Sequence, residues 1–243
     1  KNEPELGMIL HELATNLAVA GHPDFFESVA RYLVRKLGVA YAFIGEVVPP
    51  GADTARTLAF IADGKPQRNF TYRIAGTPCE KVVTHKVLTY PRDLPRLFPT
   101  DQKLPLAGAQ SYAGAPLFNS KGECLGVVAI LDRAPLRQMD TVEALLQILA
   151  AQTATELERR QATQALEDGR RMLSMLMSNL PGMVYRCRND QDWTDEFVSE
   201  GCRTLPGYAP EDFLSTRGLR YGQLVHPGDR ERIWTETQSA LSK

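Results

Sequence analysis

The residues with reactive side chains come singly. The four cysteines, Cys79, Cys124, Cys187 and Cys202, are spread along a chain of 243 residues. None has a second cysteine at the short spacing of a zinc site. The four histidines form no HExxH pair. No GxSxG turn and no grouped acid and base occur. The sequence therefore predicts no catalytic residue, no metal site and no cofactor. One cysteine has a suggestive setting. In "GTPCEKVV", Thr77 is placed to cap a helix, Pro78 fits the first position, and Glu80 completes a capping box. Cys79 then falls in the first turn, where a thiol pKa can drop and the sulfur can respond to oxidants. The plainer reading is an inert cysteine at a helix start, and the sequence favours it.

Charge excludes one class of partner. The chain has 28 basic and 29 acidic side chains, a formal net charge of -1. That leaves no basic excess to hold a phosphate backbone, so nucleic-acid binding is not expected. No apolar run reaches membrane-spanning length and no signal peptide opens the chain, so no membrane contact is expected of it. Scattered cysteines suit reduced thiols and a cytoplasmic protein. The chain opens at Lys1 without Met, which reads as a piece of a longer protein with room for membrane segments upstream.

The elements that must position any site follow from periodicity. Leu6, Ile9, Leu10, Leu13, Leu17 and Ala20 have helical spacing, and Gly21 ends that helix. Pro23 opens a second helix, one-sided through Phe25, Phe26, Val29, Leu33 and Leu37 and stopped by Gly38. Residues 39–48 are apolar on both faces, which predicts a central strand covered on each side. Strands are expected at 54–62, 67–74 and 87–90. Residues 91–108 have weak periodicity and read either as a loop with short helical turns over a pocket or as an ordered surface connection. Strands at 110–117 and 123–131 are joined by a hairpin turn at Asn119, Ser120, Lys121 and Gly122. Gly126 suggests a close backbone approach. The expected sheet is antiparallel or mixed, the mixed form being the first reading, and carries the N-terminal helices and the closing helix on one face and the 91–108 crossover on the other.

Residues 140–180 read as one helix. Asp140 is its expected N-cap and Glu143 the capping-box partner. Val142, Leu145, Leu146 and Leu149 form a stripe for a globular core. After Ala154 the composition becomes charged around a thin seam. Leu166, Leu173 and Leu180 recur every seven residues with Met177 in the complementary slot, a pattern that suits a parallel two-helix coiled coil. Gly169 weakens the middle by roughly 1 kcal/mol relative to Ala. A solvated linker helix without a partner is the rival reading.

Residues 5–160 resemble a GAF domain. The resemblance is carried by "HELATNLAVAG", "GVAYAFIGEV", "GTPCEKVV", "SYAGAPLFNSKGECLGVVAILDRAPL" and "AAQTATELERR". It implies a cavity between the sheet and the crossover, with Phe43, Phe60, Tyr72, Cys79, Phe98, Tyr112 and Ala115 on its wall. For any one of them ordinary core is the commoner role. The NKFDE-like signature of cyclic-nucleotide-binding relatives is absent, and neither Cys79 nor Cys124 lies in a bilin-attachment motif. An unidentified small ligand or an empty structural domain both fit.

Residues 178–243 resemble the first half of a PAS domain, on "NLPGMVYRCRND", "GCRTLPGYAPEDF" and "YGQLVHPGDRERIWTETQSAL". Strands are expected at 183–188 and 193–199, with short helices around Pro210 and a final helix opened by Pro227. His226 reads as a loop residue, and Cys202 lies outside the cysteine motif of light-sensing relatives. The expected fold class is thus α/β (α+β): a GAF sensor over 1–158, a coiled-coil-like helical linker over 159–179, and the N-terminal part of a PAS domain over 180–243. The resemblances imply a sensory fragment of a bacterial signalling protein, homodimeric, acting on an output domain in the same parent protein. A diguanylate cyclase or phosphodiesterase output is the first expectation. The alternatives are the sensor region of a histidine kinase and a ligand-free dimerisation module. No turnover is expected of the fragment itself.

Overall fold

The computed structural model describes residues 24–48, 53–84, 87–180, 182–190, 192–214 and 218–242. The helix expected over residues 6–20 and its stop at Gly21 lie outside them, as does Pro23. The chain divides into two compact units, Lys1–Thr163 and Gln164–Lys243.

In the first unit, helix α1 (Phe25–Leu37) buries Phe25, Phe26, Val29, Ala30 and Leu33. Gly38 ends it with a φ of 65°, a left-handed conformation that glycine adopts without penalty. Seven strands follow: β1 (Tyr41–Val47), β2 (Thr54–Ala62), β3 (Lys65–Pro66), β4 (Thr71–Arg73), β5 (Leu88–Tyr90), β6 (Ser111–Phe118) and β7 (Cys124–Asp132). They form one sheet in the order β3-β2-β1-β7-β6-β5, with β4 paired to β2. Among the described residues every pairing in it is antiparallel, so the sheet is not mixed. Central β1 is covered on both faces, as its double apolar pattern requires: Ala42 and Ile44 enter one core and Phe43 the other. At Gly126 a Cβ would stand 2.1 Å from the Gly45 carbonyl oxygen. The close approach of β1 and β7 depends on the missing side chain.

The strand expected over 67–74 shrinks to three residues. The Thr57 hydroxyl accepts the Phe70 N–H at 2.8 Å, and the Asn69 amide donates to the Leu58 carbonyl at 3.0 Å. Side chains thus satisfy groups that a backbone ladder would otherwise pair. Helix α2 (Pro78–Val83) starts where Thr77 and Pro78 predict, but the capping box does not form. The Thr77 hydroxyl donates to the Ile74 carbonyl at 2.6 Å, and Glu80 accepts the Gly76 N–H at 2.8 Å. The crossover contains two short helices, α3 (Leu94–Leu97) and α4 (Lys103–Ala107).

Helix α5 runs unbroken through Met139–Ser178. It begins one residue before Asp140, directly after Gln138 at a φ of 52°. Glu143 accepts from the Thr89 hydroxyl at 2.8 Å instead of closing a box. Leu145, Leu146 and Leu149 are fully buried with α1 against the sheet. Each such leucine contributes about 2 kcal/mol. The stripe ends at Leu157. Just before it, the Glu156 carboxylate is 2% exposed and accepts from Arg159 at 2.9 Å and Arg160 at 2.7 Å. The Arg160 guanidinium lies 4.4 Å from the Phe26 ring centroid, tying α5 to α1. Further on, Leu166, Leu173 and Leu180 are exposed and Met177 is half-buried. Leu180 lies two residues past the helix end, not within the seam's last turn.

The second unit holds a hairpin, β8 (Tyr185–Cys187) with β9 (Asp195–Val198), then α6 (Pro210–Leu214), α7 (Tyr221–Leu224) and α8 (Arg230–Leu241). Val198, Cys202 and Phe213 form its small core. Pro227 opens a 3-10 turn, and α8 itself begins at Arg230.

Candidate functional site

The face of the sheet away from α1 and α5 is built by strand parity. Successive side chains alternate between faces, so Tyr112 points under the crossover while Ala113, Ala115 and Leu117 point to the helices. Ala115 is therefore not on the expected cavity wall. It stands three residues from Tyr112, an odd offset that no continuous strand can bring to one face. The other six expected wall residues do converge. Phe43, Cys79, Phe98 and Tyr112 are buried together, with Phe60 and Tyr72 packed against them. The crossover closes over them through Leu94, Phe98 and Leu104.

A polar group sits inside this apolar cluster. The Cys79 sulfur lies 3.6 Å from the Tyr72 hydroxyl, which donates to it, and 3.5 Å from the Tyr112 hydroxyl. Sulfur is a weak partner for a hydroxyl. Burial pushes the thiol pKa up, and it holds both phenols well above their ordinary value. All three are thus neutral at physiological pH. A place in the first turn of α2 does not activate Cys79, because desolvation outweighs the hydrogen bonds around it. Gly114 lets Tyr112 fold flat: a Cβ there would stand 2.2 Å from the Tyr112 hydroxyl oxygen.

Aromatic rings extend the site to an open rim. Phe43 meets Tyr72 edge-on at 6.1 Å, Phe60 meets Phe70 edge-on at 5.5 Å, and Tyr90 meets Phe98 at 5.1 Å. Two side chains hold the crossover down at this rim. The Lys103 ammonium sits 4.2 Å from the Phe70 centroid, and the Tyr41 hydroxyl donates to the Ala107 carbonyl at 2.8 Å. Arg133 donates to the same Tyr41 oxygen at 2.5 Å and pairs with Asp63 at 2.7 Å. Sequence reasoning missed Phe70, Tyr90, Lys103 and the Tyr41–Arg133–Asp63 chain. The alternation of Phe70 with Tyr72 was a usable signal for the first. Nothing local announces the others, which join residues far apart in the chain.

Cavity space opens elsewhere. A cavity of about 520 Å³ is lined by Lys36, Leu37, Asp132, Arg137 and Gln138 among others, on the helix side of the sheet. Among the described residues no group of three or more His, Cys, Asp or Glu could hold a metal ion, and all four cysteines are free thiols. No described helix is long and apolar enough to cross a membrane.

Comparison with known proteins agrees with this architecture. The GAF domain profile matches residues 22–157. A bacteriophytochrome from the photosynthetic bacterium R. palustris superposes with a TM-score of 0.52 at 12% identity, over 78% of this chain and 50% of that one. The chromophore-binding domain of the Stigmatella aurantiaca bacteriophytochrome gives 0.51 at 14% identity, over 63% and 60%. The A. aeolicus nlh2 GAF domain, in an inactive state, gives 0.48 at 17% identity, over 66% and 99%. No curated protein matches the chain.

Proposed function

The chain belongs to the GAF domain family, a family of sensory signalling modules, and on that premise we propose that it is the regulatory part of a bacterial signalling protein. A small ligand held between sheet and crossover would bias the packing of α5, which carries the bias onward. The observation that carries this reading is the Cys79 thiol placed between the hydroxyls of buried Tyr112 and half-buried Tyr72. Tyr72 and Tyr112 have donors to offer and only a sulfur to receive them, in a cluster otherwise built of rings and aliphatic side chains. A ligand oxygen reaching that point would replace weak hydrogen bonds by stronger ones. A ligand shifts the equilibrium only by binding two arrangements unequally, and a crossover of short helices is the element able to differ between them.

The finer reading extends along the chain. We take 159–179 as a signalling linker that pairs with a second copy through Leu166, Leu173, Met177 and Leu180. We take 180–243 as the first part of a PAS domain and the whole as cytoplasmic. A diguanylate cyclase or phosphodiesterase output fits a tandem sensor of this order; a histidine kinase output fits it too. One observation favours a second reading, a dimerisation module without ligand: the side chains under the crossover already pack on one another.

The test is fluorine NMR of the full chain labelled with 3-fluorotyrosine, titrated with small carboxylates, nucleotides and amines. A ligand at the site shifts the Tyr72 and Tyr112 signals saturably and leaves Tyr208 unmoved. A panel that moves neither signal would overturn the sensory reading in favour of the structural one.

A further inference from the structure

We infer that the rim of the sheet–crossover face takes an organic cation, and that Lys103 occupies that cation's place in the structure. The inference rests on the reading of this face as a ligand site and names the ligand's class. Phe70 and Tyr72 present two tilted walls, 5.8 Å apart at 51°. The Lys103 ammonium stands 4.2 Å from one ring centroid and 5.5 Å from the other. Both distances lie in the range where a ring quadrupole attracts a cation. The walls are fixed from behind. Phe60 meets Phe70 edge-on, Phe43 meets Tyr72 edge-on, and the Tyr72 hydroxyl is tied to the Cys79 sulfur.

A carboxylate completes the arrangement. Asp101, two residues before Lys103, accepts the Lys103 backbone N–H at 3.1 Å. Burial is what chiefly raises the pKa of Tyr72 and Cys79, and the Asp101 charge adds to it in the same direction. Ring faces with a nearby carboxylate favour a cation and disfavour an anion. Lys103 itself is exposed and belongs to a helix of five residues. It is a tethered occupant on a short segment of the crossover. A free cation with a better fit to the rings would displace it and release that end of α4, while the Tyr41 hydrogen bond to Ala107 still holds the other.

The probe is choline, measured by calorimetry on the full chain, against its neutral isostere 3,3-dimethylbutan-1-ol. Choline should bind at least roughly tenfold more tightly than the isostere. Lys103→Met, which removes the tethered ammonium at an exposed position, should tighten choline about tenfold. Phe70→Leu should abolish binding. Equal affinity for choline and isostere overturns the inference, and so does an unchanged choline affinity in Lys103→Met. Absence of binding to both wild type and Lys103→Met at about 10 mM overturns it as well. If only anionic or neutral compounds move the fluorinated Tyr72 and Tyr112, the cation inference falls and the sensory reading stands. If no compound of any charge moves them, both fall.

Discussion

At the scale of residues, the decisive contest is between desolvation and local charge. Cys79 has a helix-start position and two hydroxyl neighbours, yet burial wins and its thiol is held up. Native protein treated with iodoacetamide should therefore modify Cys79 far more slowly than the half-buried Cys124 and Cys187. Peptide mapping that finds Cys79 alkylated first would contradict that. Glu156 shows the opposite outcome. It is almost fully buried, yet hydrogen bonds from Arg159 and Arg160 lower its pKa from 4.5 to about 2. The folded protein binds this proton less readily than the unfolded chain does. The stabilisation is whole above about pH 4.5 and drains away as the pH falls toward 2. Glu156→Gln should cost roughly 2 kcal/mol at neutral pH, allowing for the solvent around Arg159. Urea melts at about pH 7 and pH 3 read both effects: the wild-type advantage over the variant shrinks at the lower pH. An advantage that stays constant would remove the ion cluster from the account.

At the scale of elements, strands with clean alternation could be read directly and side-chain substitutions for backbone pairing could not. β2 occupies the expected 54–62, and the hairpin at Asn119 joins the two expected strands. The 67–74 strand is cut short because Thr57 and Asn69 intercept backbone groups, a contact between distant residues that no local pattern displays. Six of the seven expected wall residues share one cluster, since each follows from which face of its own element is apolar. Ala115 does not, and the parity of β6 already excluded it. Gly126 tests how tightly β1 and β7 meet. Gly126→Ala should destabilise the protein by about 3 kcal/mol, as overpacked cores do, measured by thermal or urea unfolding. A neutral substitution would mean the strands can part without loss. On α5, Leu173 is 58% exposed. If the seam joins two copies, sedimentation should find a dimer for wild type and a monomer for Leu173→Glu. A wild-type monomer at high concentration would reduce that stretch to a solvated rod.

At the scale of the whole molecule, the GAF unit gives its sheet two unlike faces. One face is covered by α1 and α5 with aliphatic side chains and the rings of Phe25, Phe26 and Tyr32. The other carries rings, two phenols and a thiol beneath a crossover of short helices pinned at its edge by Lys103 and Tyr41. α5 starts on the first face and continues 21 residues beyond Leu157 without interruption. Sensing therefore requires the crossover to be the part that opens. Hydrogen exchange of the full chain, followed by mass spectrometry, measures that opening directly. Amides of 91–108 should exchange orders of magnitude faster than those of β1 and β7, by local rather than global unfolding. Exchange in 91–108 as slow as in β1 and β7 would show a crossover locked to the core, and a sensing role for this face would be contradicted.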